Sequence, residues 1–459
     1  MSAATGCVVE RLSVCPDLLA LHAAQPLRYP YLLESAVQGG PRARYDILFA
    51  FPGETITQHD AGRIERDGRP TAETDFLTAL DRCWAQEQVS EANQTVERDL
   101  PFAGGWFVFL AYELAGTIEP SVTGLNSDRT LPVAMAVRCP AALIRDHVDR
   151  CTYLICETPR ASELVPQMRQ DLTADALADQ RLVSCAVEED ASERFLAGVE
   201  RVLQYIRAGD VFQVNLSRAW RATLHGNVSA HALYSALRAS NPAPFAGLMT
   251  LPGGRAVLSS SPERLIEVRR GMVSTRPIAG TYPRSDDPGQ DYAWSRELLA
   301  HPKERAEHVM LIDLERNDLG RVCRPGSMQV SELMALESYR HVHHIVSEVR
   351  GRLRADVKPG EVIRAVFPGG TITGCPKVRC MQIIAELEQA ARGAYTGSMG
   401  YLNRDGSMDL NILIRTMVQD GRQVRLRAGA GVVADSRPER ELAETRAKAR
   451  GMLAALGAA

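Results

Sequence analysis

Residues 211–217 read "VFQVNLS", and the run alternates: Phe212, Val214 and Leu216 fall on one side, Gln213, Asn215 and Ser217 on the other. A period of two predicts a strand with an apolar back and an amide-rich front, the wall of a polar pocket. Just upstream the period changes. Phe195, Val199, Val202 and Ile206 make a helical stripe, with Ser192 able to cap its start and Gly209 able to close its end. Further strand-like runs occur at 44–51 ("RYDILFAF"), 105–112 ("GWFVFLAY"), 255–261 ("RAVLSSS"), 398–403 ("SMGYLN") and 423–433 ("QVRLRAGAGVV"). Long helical patterns cluster at Pro302 to Asn317 and Glu439 to Leu456. Strands mostly uninterrupted by helices predict an α+β fold with large antiparallel sheets rather than a doubly wound parallel sheet. A polar, acidic stretch from Asp171 to Ser192 predicts a boundary near 190, dividing the chain into 1–190 and 191–459.

The 459 residues carry a formal net charge of −3, which argues against a nucleic acid or an anionic membrane as partner. Only Lys303, Lys358, Lys377 and Lys448 are lysines, so amine chemistry has four candidates and the N-terminal half has none. The ten cysteines lack CxxC spacing and read as reduced thiols rather than disulfides or a zinc site. No signal-like start and no apolar run of about 20 residues is present, so the expected location is the cytoplasm.

Two ExxE pairs lie on the long helical patterns, Glu304 with Glu307 and Glu441 with Glu444. A spacing of three puts each pair on one helix face, where carboxylates suit Mg²⁺; such pairs are ordinarily solvated surface. Lys448 shares the face of Glu444. The second pair follows "AGAGVVADS", read as a glycine-bearing loop whose amides bind a carboxylate, or as a hairpin turn. "FPGGTITGCPK" (367–377) resembles an anion loop without the Walker pattern, so structural turn and substrate loop both stand. His341, His343 and His344 cluster without cysteines, which points to proton transfer more than zinc. Glu263, beside a proline at the edge of a strand run, is placed to act as a general acid.

In this order, "GDVFQVNLS", "SSSPERL", "RPIAGT", "KERAEHVMLIDLERNDLGRV", "HHIVSEV", "FPGGTITGCPK", "YTGSMGYL", "ILIRTM" and "AGAGVVADS" make the chain from about 190 onward resemble the chorismate-utilising enzymes. The resemblance implies two stacked antiparallel sheets wrapped by helices and an Mg²⁺ ion bridging the protein to chorismate. It implies Glu304, Glu307, Glu441 and Glu444 as metal-site carboxylates and Glu263 with His344 as the acid/base pair near the departing C4 hydroxyl. Thr371, Tyr395, Arg415, Gly429, Ala430, Gly431 and Lys448 become substrate contacts, with Lys377 also expected to serve a substrate carboxylate.

Relatives that use water resemble one another in carrying a lysine base where this chain has Gln213, so the resemblance implies ammonia as nucleophile. Aminodeoxychorismate synthases commonly read "PIKGT", anthranilate synthases "PIAGT"; Ala279 matches the second. "QVNLS" and "FPGGTITGCPK" match the first. The tryptophan-feedback motif, begun by "LLES" at Leu32 to Ser35, expects a serine where this chain has Asp46. The balance favours component I of aminodeoxychorismate synthase, with a separate glutamine amidotransferase subunit supplying ammonia, since no cysteine lies in a GxCxG-like turn.

Overall fold

The computed structural model describes residues 6–36, 44–60, 62–89, 100–172, 185–285, 287–338 and 342–458. His341 and most of the acidic stretch expected to mark a boundary lie outside them. Two sheets, each of 12 strands among the described residues, form the body of the protein. Their pairings are antiparallel, as the uninterrupted strand runs predict.

In the first sheet, strands Tyr45–Ala50 and Tyr31–Glu34 continue into Phe245–Leu251, Arg255–Ser261, Thr416–Asp420, Gln423–Val432 and Gln213–Thr223. In the second, Gly105–Leu110 pairs with Ser398–Asn403, which continues through Met408–Asn411 to Arg264–Arg269, Met272–Thr275, Val342–Arg352 and Ile278–Pro283. Both sheets therefore combine strands from before and after residue 190. Part of the acidic stretch is itself a strand, Ala186–Glu189, which pairs with the end of Gln213–Thr223.

Inner faces of the sheets meet in a core that includes Tyr31, Phe49, Phe107, Phe109, Met249, Val257, Met399 and Leu413. The Tyr31 and Phe107 rings stack at 4.1 Å. Helices cover the outer faces. Ser192–Arg207 packs the expected Phe195, Val199 and Val202 under the strand Gln213–Thr223, against Val214 and Leu216.

Two local expectations are corrected. Ser192 is the first helical residue, with Ala191 at the cap, and its hydroxyl accepts instead from Arg446. Phe212 lies ahead of the strand and is 67% exposed, so the apolar back begins at Val214. The long helical patterns are the helices Pro302–Gly320 and Pro438–Ala455.

Candidate functional site

Two chain crossings between the sheets bring Glu263 and Arg415 together. Arg255–Ser261 belongs to the first sheet and Arg264–Arg269 to the second, so Pro262 and Glu263 span the gap. Met408–Asn411 and Thr416–Asp420 make the return crossing, which carries Arg415 at φ +52°. Hydrogen bonds lock the crossings together: Ile412 N donates to Glu263 O (3.0 Å) and Ser260 N to Arg415 O (3.1 Å). A carboxyl and a guanidinium thus leave regular ladder geometry side by side.

Glu263 is 5% exposed, and burial pushes its carboxyl up to about 7. The Thr371 hydroxyl, the Lys448 charge, the Ile278 amide and the Arg415 charge pull the other way. Arg415 makes no side-chain hydrogen bond or ion pair among the described residues, although Tyr395, Glu444 and Glu263 act on its charge. It is a planar cation free to take a bidentate anion.

His344 stands opposite Thr281 on Val342–Arg352, and its Nδ1 lies 3.4 Å from Gly280 O. Burial pushes it down to about 4, so its imidazole is neutral near pH 7. Gly280 is required there: the register shifts between Ala279 and Thr281, its φ is +67°, and a Cβ would meet Leu298 Cδ1 at 2.9 Å and Glu304 Oε2 at 3.0 Å. That contact carries Glu304 to the same wall as His344. Ala279 lies next to it on Ile278–Pro283, opposite Ile345. His343 turns away to Asp291 (3.0 Å) and Ser338 (2.8 Å).

The opposite wall is the amide-rich front of Gln213–Thr223. Gln213 and Asn215 are buried, and among the described residues Gln213 Oε1 and Asn215 Oδ1 have no hydrogen-bond partner. Orphaned acceptors of this kind await a donor from a ligand. Beside them run Gly429, Ala430 and Gly431, paired with Ser217, Leu216 and Asn215. The strand-like run 423–433 is the strand Gln423–Val432, so this segment is its end and neither a loop nor a hairpin turn. Thr416–Asp420 covers only 423–426 of that strand, so among the described residues no strand takes the other edge of 427–432. On that edge Gly429 O accepts from Lys448 Nζ. A Cβ on Gly429 would meet Asn215 Oδ1 and the Tyr395 hydroxyl, each at 2.6 Å.

The helices bring the remaining carboxylates. Glu441 is buried, Glu444 pairs with Lys448, and Lys448 Nζ donates to Gly429 O at 3.1 Å. Glu307 follows Glu304 by one helical turn on Pro302–Gly320. Among the described residues no three His, Cys, Asp or Glu side chains gather closely enough to hold a metal by themselves. The oxygen donors suit a hard cation that takes its remaining ligands from water and substrate. Lys377 differs from expectation: it is engaged by Asp318 and by Val366 O (3.0 Å).

Two groups escaped the sequence reading. Glu315, buried beneath Gly370, is pushed up to about 8 by burial and the Asp318 charge, with Glu263 adding to the rise. Arg392, just ahead of "GAYTG", donates to Glu388, Asn215 O (2.8 Å), Ile372 O (3.2 Å) and Thr396 Oγ1 (3.2 Å). It ties together the segments that carry Gln213, Thr371 and Tyr395. An arginine among small residues before an aromatic was the available signal.

A family model described as chorismate binding enzyme matches residues 30–454. Aminodeoxychorismate synthase component 1 of Bacillus subtilis is 39% identical over 447 residues, 94% of this chain and 93% of that protein. Anthranilate synthase component 1 of Streptomyces coelicolor is 36% identical over 464 residues, 97% of this chain and 87% of that protein. Among solved structures, anthranilate synthase component I from Streptococcus pneumoniae TIGR4 superposes with a TM-score of 0.80 at 31% identity, covering 91% of this chain and 93% of that one.

Proposed function

The chain belongs to the chorismate-binding enzymes and acts on chorismate, and from that premise we propose that it aminates chorismate at C4, giving 4-amino-4-deoxychorismate. The observation that carries the choice of ammonia is Gln213, a buried amide on the pocket wall where water-using relatives have a lysine base. An amide cannot deprotonate water. Its free Oε1 can instead accept a hydrogen bond from ammonia.

In this reading Arg415 takes one carboxylate of chorismate as a fork, and the open strand edge beside Gly429, Ala430 and Gly431 takes the other. Thr371 and Tyr395 orient the ring. Glu304, Glu307, Glu441 and Glu444 would hold Mg²⁺, which when bound neutralises the ring carboxylate. Glu263, protonated near neutrality, gives its proton to the C4 hydroxyl, which leaves as water while ammonia adds at C2 and the ring double bonds shift. Neutral His344 accepts the proton that the new ammonium sheds.

With Ala279 offering no amine, a covalent lysine adduct is not available at that position. Lys377 is engaged with Asp318 and Lys448 with Glu444 and Gly429 O. The proton held by His344 passes back to the Glu263 carboxylate; a second ammonia then adds at C4, the double bonds shift back, the C2 amine departs as ammonia with that proton, and the C4 ammonium returns one to Glu263. Support for C4 over C2 comes from "QVNLS" and "FPGGTITGCPK". Asp46 adds to it: one carboxylate oxygen accepts from Ser35 N and the other meets His147 Nε2, both at 2.8 Å, where the feedback motif expects a hydroxyl.

Ala279 favours a second reading, component I of anthranilate synthase. A product assay with chorismate, Mg²⁺ and an ammonium salt separates the two. A product with the mass of 4-amino-4-deoxychorismate, converted by the downstream lyase to p-aminobenzoate, is expected; anthranilate with release of pyruvate would overturn the proposal. A separate glutamine amidotransferase is the proposed ammonia source, so glutamine should replace ammonium only when that subunit is added.

A further inference from the structure

Glu315 lies on the helix Pro302–Gly320, beneath the turn that leads into Thr371. Hydrogen bonds within the turn hold it, from Thr373 Oγ1 to Gly369 O (2.8 Å) and from Gly374 N to Gly370 O (3.0 Å). It also rests on the helix: a Cβ on Gly370 would meet Leu314 Cδ2 at 2.5 Å and Glu315 Oε1 at 3.1 Å. Glu263 faces the hydroxyl of the next residue, Thr371. The two carboxyls therefore touch neighbouring residues of one tight turn. Thr275 makes a second bridge, because its hydroxyl donates to Leu265 O (3.0 Å), two residues from Glu263, and its oxygen is left to meet the Glu315 carboxyl. A protonated carboxyl suits that oxygen.

Glu263 and Glu315 are each 5% exposed. The charged groups acting on Glu315 are Asp318, Lys377 and Glu263, and Lys377 is already held by Asp318 and by Val366 O (3.0 Å). Those acting on Glu263 are Lys448 and Arg415, and Lys448 is paired with Glu444. If both carboxyls ionised, two negative charges would face each other across the Gly370–Thr371 segment, where little water screens them. Their protons are not lost independently.

We infer that Glu263 and Glu315 titrate as one pair, in which Glu315 is a positioning residue whose charge, once formed, holds the proton on Glu263. The inference rests on Glu263 being the general acid and is indifferent to whether C2 or C4 keeps the amine. In mildly acid solution both carboxyls are protonated, and Glu315 is a neutral prop under the turn. As pH rises one proton leaves, and the other is divided between the two sites. Whenever Glu315 has released its proton, repulsion makes Glu263 keep the one that remains. The acid thus stays loaded to higher pH than it would beside a neutral neighbour.

Glu315→Gln keeps the shape of the side chain and cannot ionise. Its kcat/KM for chorismate near pH 6 should match the parent within about twofold, while the alkaline limb of the profile moves down by roughly half a pH unit. Glu315→Met removes the same charge and should show the same shift, so a packing defect peculiar to one substitution is recognised. Infrared difference spectra of the protonated carboxyl band, followed as pH is raised, read the pair without turnover. The parent should lose two such carboxyls and each of Glu315→Gln and Glu263→Gln one. Coupling is reciprocal, so Glu315 should titrate at lower pH in Glu263→Gln than in the parent. An alkaline limb that stays in place in both Glu315 variants, activity reduced equally at every pH, or an unmoved Glu315 midpoint in Glu263→Gln would each overturn the inference. Full activity in Glu263→Gln would overturn the acid assignment itself, and the infrared midpoints tell that failure from failure of the pair.

Discussion

Burial raises Glu263 to about 7, so near neutrality about half of the carboxyls carry the proton that a general acid must give. kcat/KM for chorismate should therefore fall above pH 7, and Glu263→Gln should lower kcat by about 10²–10⁴-fold while chorismate still raises the melting temperature. The same shift has a stability cost of known sign. The folded carboxyl holds a proton that the unfolded one, at 4.5, has released, so this contribution is fully present below pH 4.5 and is lost as pH rises through about 7. In Glu263→Gln that part of the pH dependence of stability should vanish. Glu263, beside its proline, and the histidine cluster that holds His344 stand out by residue type and neighbours, whereas Arg415 is singled out by the family resemblance alone. Glu315 was not: on its helix it reads as one more surface carboxylate, and only packing beneath Gly370 makes it buried.

Strand Gln423–Val432 approaches Gln213–Thr223 so closely that its glycines are not interchangeable. At Gly429 a Cβ would meet backbone, Leu216 O at 2.8 Å, as well as the Tyr395 hydroxyl; at Gly431 the nearest atom is Gln213 Nε2, the movable end of a side chain. Gly429→Ala should then cost about 1–3 kcal/mol in thermal melts. Gly431→Ala should be milder in stability but raise KM by displacing Gln213. The alternation of "VFQVNLS" made the first strand readable, and "QVRLRAGAGVV" reads as a strand as well; its two glycines left a loop reading open beside it, because a residue without a side chain adds nothing to a period of two. Arg392 works at this scale too, with Glu388 paired to it and to Arg427 in the buried space between helix and strands. Arg392→Ala removes one partner of a buried charge and should cost about 3–5 kcal/mol. Arg392→Lys, which keeps the charge but not the fork to three carbonyl and hydroxyl oxygens, should recover only part of it.

Period and spacing reported the class of the fold, but not how the two sheets share the chain, since strand partners hundreds of residues apart leave no local trace. Phe245–Leu251 is flanked by Tyr31–Glu34, and Ser398–Asn403 by Gly105–Leu110. Removing residues 1–190 would strip both partners and the Tyr31, Phe49, Phe107 and Phe109 rings from the core between the sheets. Two long apolar strand edges would then face solvent, the arrangement that promotes aggregation. The two crossings hang on those same strands, because Glu263 and Arg415 bridge the two sheets and stay together only while the sheets stay packed. A fragment of residues 191–459 should therefore lack a cooperative thermal transition by circular dichroism and should elute as aggregate. Co-expression with 1–190 as a separate chain should restore a soluble complex whose melting temperature rises with chorismate and Mg²⁺. A monomeric 191–459 fragment that melts cooperatively and binds chorismate would show instead that the strands before residue 190 are an addition to a self-sufficient catalytic unit.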